Sequence, residues 1–89
     1  MNTIFDSIDR IRRMEAIFDE LSIEVREDPP KINKEMLRIL VNYYENGDWL
    51  HDYELDEAGL LPFDLKRGVL SEDGVYNLLE EIRETFQTE

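Results

Sequence analysis

From Ile4 the apolar positions run Ile8, Ile11, Met14, Phe18, Leu21 and Val25, always three or four residues apart, which is the period of one helical face. The spacing predicts a helix to about Arg26, capped at its start by Asn2 or Thr3, with Asp6 to Arg10 and Asp9 to Arg13 as supportive pairs one turn apart. Asp28-Pro29-Pro30 ends it, because a residue before proline avoids the helical region. A second helix is predicted to start after Pro30, proline being suited to a first helical position, with Ile32, Met36, Leu37, Leu40, Val41 and Tyr44 on a broad apolar face and Gly47 as its left-handed stop.

Asp48 is the expected N-cap of a third, shorter helix that sets Trp49, Leu50 and Tyr53 on one side and breaks at Gly59. After the apolar connector Leu60-Leu61-Pro62, residues Asp64 to Gly68 read as one helical turn closed by glycine. Ser71 is then the expected N-cap of a last helix, with Glu72 and Asp73 at the positive end of its dipole and Val75, Leu78, Leu79, Ile82 and Phe86 on its buried stripe. No repeat, low-complexity tract or long linker interrupts the pattern. The expectation is an all-α bundle forming a single helical domain over residues 1–89: three long helices, one short acidic helix laid across an end and plugged by Trp49, and a helical turn. An apolar stripe on the first helix too wide for three partners to cover would find its outlet in a homodimer.

Charge changes this picture in one place. Residues 39–65 contain no Lys or Arg, yet carry Glu45, Asp48, Asp52, Glu54, Asp56, Glu57 and Asp64. The same stretch holds the only Trp, the only His and three of the four Tyr. Asp48, Asp52 and Asp56 are spaced by four, so they share a helix face as repelling neighbours. Asp56 and Glu57 fall near a helix C-terminus, where the dipole favours cations. A counter-charge is required, and Lys66 and Arg67 are the next cations along the chain. Arg67 suits the task better, since a guanidinium can bridge carboxylates with its fork and stay charged when partly desolvated. Arg67 is therefore expected against Asp52 or Asp56, in a knot that includes Trp49, Tyr53 and Glu57.

Other chemistry is poorly supported. Asp52-x-Glu54-x-Asp56 imitates the opening of a calcium loop, but the sixth position is Glu57 instead of Gly and the twelfth is Phe63 instead of a carboxylate. A looser magnesium or calcium site from Asp52, Asp56 and a further acid remains the metal alternative, as a binding protein or a carboxylate enzyme. His51 has no Cys or second His for zinc and reads as a surface residue; Ser71 is better explained by capping than by nucleophilic catalysis. No cofactor is expected.

The net charge of -12 at pH 7 argues against phosphate-backbone contacts and favours a basic protein partner. Mimicry of nucleic acid by regularly spaced carboxylates is a rival reading of the same charge. The absence of cysteine fits a reducing cytoplasm, and the short apolar runs provide neither a signal peptide nor a membrane span. At 42% hydrophobic and 36% charged residues the chain is apolar enough to fold.

Trp49-Leu50-His51-Asp52-Tyr53-Glu54, Asp56-Glu57-Ala58-Gly59-Leu60-Leu61-Pro62 and the run from Asp64 to Asp73 together resemble a small bacterial family of unknown function. Arg10-Ile11, Met14-Glu15, Tyr43-Tyr44-Glu45, Gly47 and Tyr76-Asn77-Leu78-Leu79 extend the resemblance over nearly the whole chain. It implies a short cytoplasmic bacterial protein and transfers no activity, ligand or catalytic residue. The expected role is that of a non-enzymatic interaction or accessory module.

Overall fold

A computed structural model describes residues 4–87. Among them lie four α-helices, α1 (Ile4–Val25), α2 (Lys34–Glu45), α3 (Asp48–Glu57) and α4 (Gly74–Phe86), with a 3-10 turn at Gly68–Leu70 and no strand. The fold is an all-α bundle.

The first helix is the spine, and the stripe read from its sequence is the stripe it buries: Ile11, Met14, Leu21 and Val25 are in the core, with Ile4, Ile8 and Phe18 packed against it. The C-terminal end of α1 is tied to the segment that leads into α2. Glu24 accepts the backbone N–H of Lys31 on its carbonyl at 3.1 Å and that of Asn33 on its carboxylate at 2.8 Å. The chain therefore reverses, and α2 runs back along α1 until Tyr43 lies level with Arg10. The fourth helix instead takes the direction of α1, with Gly74 beside Phe18 and Glu81 beside Arg26. Leu40, Tyr43, Leu61, Leu65, Val69, Leu70, Val75, Leu78 and Ile82 complete the core.

Several boundaries depart from the sequence reading. The second helix starts only at Lys34, a few residues later than a start directly after Pro30, because Asn33 takes an extended conformation and accepts the Met36 N–H at 3.0 Å. Gly47, at φ 102°, precedes α3 in the cap position, so Asp48 is its first helical residue. The helical turn expected over residues 64–68 is displaced to Gly68–Leu70, and Gly68 opens it instead of closing it. Ser71 ends that turn in an extended conformation, donating its N–H to the Gly68 carbonyl at 3.1 Å, so α4 begins only at Gly74 and lacks a side-chain cap. Any side chain at Gly74 would collide with the Ser71 hydroxyl and approach the Gly68 carbonyl to 2.8 Å. Phe86, expected on the buried stripe, is exposed, as is Leu50 of α3. The expected caps Asn2 and Thr3 lie outside the described residues.

Candidate functional site

The third helix turns one carboxylate fully inward. Asp52 has 0% exposure and receives the side of the Arg10 guanidinium as a fork: Nε donates to Oδ2 at 2.9 Å and Nη2 to Oδ1 at 2.6 Å. The Tyr43 hydroxyl donates to Oδ2 at 2.8 Å, and the Arg10 Nη2 also donates to the buried Ser7 Oγ at 3.2 Å. Asp48 adds a longer-range attraction to Arg10 at 4.0 Å. An isolated carboxylate at this depth would be prohibitively costly, and the fork plus one phenol offset that cost with charge-assisted bonds. The pairing holds the Arg10 guanidinium protonated beyond its ordinary range, chiefly through its bond to Asp52. Burial, and then the bond to Asp52, push the Tyr43 phenol well above its ordinary value.

One turn further on, Asp56 points to the rim and meets Arg67 Nη1 at 2.6 Å. The same guanidinium donates from Nε to the Leu65 carbonyl at 3.2 Å and from Nη2 to the Pro62 carbonyl. Arg67 thus closes the connector back onto the end of α3. Of the two aspartates considered for it, the structure gives Arg67 Asp56; Asp52 goes to Arg10.

Trp49 is held between two tyrosines, edge-on to Tyr44 at 5.3 Å and stacked on Tyr53 at 5.0 Å. Its indole N–H donates to the Val69 carbonyl at 2.8 Å, and the Val69 N–H donates to Glu15 Oε1 at 2.9 Å. Both peptide groups of Val69 are therefore fixed, one from α3 and one from α1. Glu15 lies against Gly68, where an added Cβ would stand 3.1 Å from its Oε2. The Tyr53 hydroxyl is raised above its ordinary value, first by the negative charge of Glu57 and then by burial and Glu72. His51 is exposed.

The expected residues Trp49, Asp52, Tyr53, Asp56, Glu57 and Arg67 thus belong to one region but not to one network. Asp52 faces α1, Asp56 faces Arg67, and Trp49, stacked on Tyr53, bonds to the 3-10 turn. Sequence reasoning missed Arg10, Ser7, Glu15 and the Tyr43 hydroxyl. A signal was present: Ser7, Ile11 and Glu15 succeed one another at steps of four, so two polar residues sit on the buried face of α1 and need partners.

Among the described residues, no group of three or more His, Cys, Asp or Glu is placed to hold a metal ion. A shallow groove of about 350 Å³ runs between α1 and the connector, with Glu15 and Leu65 in its wall, and is bridged by Lys66 and Asp19 at 2.8 Å. No helix is long and apolar enough to cross a membrane among the described residues.

Comparison with curated proteins gives no match, and comparison with solved structures gives none either. A family match spans residues 11–88, taking in the buried Asp52, its tyrosine, the Arg67 clamp and all of α4, and leaves out only the first turns of α1 among the helices. The chain belongs to the family described as Domain of unknown function (DUF4298).

Proposed function

We propose that the chain is a non-enzymatic interaction module of the bacterial cytoplasm that binds a basic protein partner through the outward carboxylates around α3. The observation that carries this reading is the split between the two sides of that helix. Asp52, at the centre of the acidic segment, is sealed and its oxygens are occupied by Arg10 and Tyr43. Acid or base chemistry needs a carboxylate that a substrate can reach, and this one is closed to solvent. Glu45, Glu54, Glu57 and Asp64 are exposed in a stretch of chain that supplies no cation of its own. Such a surface attracts and orients a positively charged partner, and the attraction is screened within about 10 Å at 0.1 M salt. The resemblance to a small bacterial family and the lack of cysteine support the compartment.

The test is capture from a lysate of the cell of origin on the immobilised chain at low and high salt, repeated with Glu45→Gln, Glu54→Gln, Glu57→Gln and Asp64→Asn combined. The expected result is a basic protein that is retained by the native chain, released by salt, lost by the variant, and bound again when purified. Retention indifferent to both salt and the substitutions would overturn the reading.

A further inference from the structure

The connector after α3 carries an apolar display that the core does not use. The helix ends at Glu57, Gly59 follows with φ 72°, and four apolar residues come next, Leu60-Leu61-Pro62-Phe63. Leu61 turns into the core, whereas Leu60 is 57% and Phe63 97% exposed. Keeping a phenyl ring in water forfeits the stabilisation that burial of a large aromatic gives. The exposure is not that of a slack loop. Leu60 N–H donates to the Leu55 carbonyl at 3.1 Å and Leu65 N–H to the Pro62 carbonyl at 3.2 Å. Arg67 grips the Pro62 and Leu65 carbonyls while it is anchored on Asp56.

We propose that Leu60 and Phe63 are the apolar anchor of the interface, seated in an apolar pocket of a different protein whose rim carries Lys or Arg. This deepens the function proposed above and rests on it. A loop already fixed in shape has little ordering entropy left to lose on binding, and buried aromatics carry a large share of interface energy. The charge around the anchor selects the occupant. Glu57 and Asp64 flank it and are exposed; of the connector's own cations, Lys66 is matched by Asp19 and Arg67 by Asp56, and Arg12 of α1 lies across the groove that Asp64 and Lys66 line. With a net charge of -12, a second copy would bring the same acidic rim against this one, and an anionic lipid surface would repel it likewise. A pocket with a basic rim complements both the ring and its surroundings.

The experiment pans a phage-displayed library of short random peptides against the full chain at low salt. The enriched peptides are then measured by fluorescence anisotropy on the native chain, on Phe63→Ser and Leu60→Ser, and on Glu57→Gln/Asp64→Asn, each first shown to keep its helical spectrum and melting temperature. The expected peptides combine an aromatic or aliphatic residue with flanking Lys or Arg. Phe63→Ser weakens them by at least about tenfold, and the charge variant removes most of their salt dependence. Equal binding to the native chain and Phe63→Ser, with loss only in the charge variant, overturns the anchor and leaves the basic-partner reading standing. Peptides indifferent to every variant, or no enrichment at all, overturn both. Self-association in sedimentation that Phe63→Ser abolishes also overturns the proposal, in favour of a second copy.

Discussion

Asp52 and Asp56 stand one turn apart on α3 and each is held by an arginine, yet the two pairs do different work. Side-chain exposure is 13% and 0% for Arg10 and Asp52, against 33% and 21% for Arg67 and Asp56. The inner pair joins the first helix to the third across 42 positions of chain; the outer pair reaches back only 11. In a dry setting a charge left alone is very costly, so the inner pair makes the docking of α3 on α1 all-or-none. At the rim, water can replace a lost partner, so the outer pair fixes a loop without deciding whether the bundle forms. The same residue types, one turn apart, thus serve the fold in one place and the presentation of a surface in the other.

The largest effect expected from this contrast is that of Arg10→Met, which strands Asp52 without its cation. Urea unfolding should show a loss of about 3–5 kcal/mol; a loss under about 1 kcal/mol would mean that the inner pair is no stronger than a surface contact. Tyr43→Phe comes next, since it removes one bond to a charged acceptor, and should cost about 1.5–3 kcal/mol at neutral pH. It also has a signature in pH. The Tyr43 phenol is raised in the folded chain, so the folded state keeps its proton where the unfolded state loses it. The resulting stability is whole below the unfolded value of about 10 and declines as pH rises beyond it. Melting between neutral and strongly alkaline pH should therefore fall less steeply for Tyr43→Phe than for the native chain.

Arg67→Ala should cost no more than about 1 kcal/mol, a drop in melting temperature of roughly 4–8 °C for a chain of this size. Its clearer mark should be faster amide exchange at Leu65, whose N–H bonds to the Pro62 carbonyl that Arg67 grips. Unchanged exchange there would remove the loop-fixing role. Smallest of all, Phe63→Ser should leave stability within about 0.5 kcal/mol, as expected for a side chain with almost no contacts to lose. A large drop in melting temperature would show that the ring is part of the fold.

The helices were legible because their apolar spacing is the core: Ile11, Met14, Leu21 and Val25 on α1 and Val75, Leu78 and Ile82 on α4 are both the periodic and the buried positions. Boundaries were less so. Ser71 has the chemistry of a cap, but its place in the fold is the end of the 3-10 turn that Gly68 opens, and α4 starts three residues later at Gly74. In the acidic segment, spacing identified a need for cations and pointed to the nearest ones in sequence. It could not show that α2 returns the chain to the level of Arg10, which is what brings a distant guanidinium to Asp52. Tyr43 stands out in sequence only as an aromatic residue, because a hydroxyl's partner depends on tertiary position. Local charge spacing reports that a partner is required; the fold decides which one arrives.

The inner pair is tested most directly by a double-mutant cycle on Arg10 and Asp52, with Arg10→Met, Asp52→Leu and the double variant unfolded in urea. Each single change should be severe and the double variant should recover much of the loss, with a coupling above about 2 kcal/mol, because removing both charges leaves none stranded. Additive losses with no coupling would contradict it, and Asp52 would have to owe its burial to something other than Arg10.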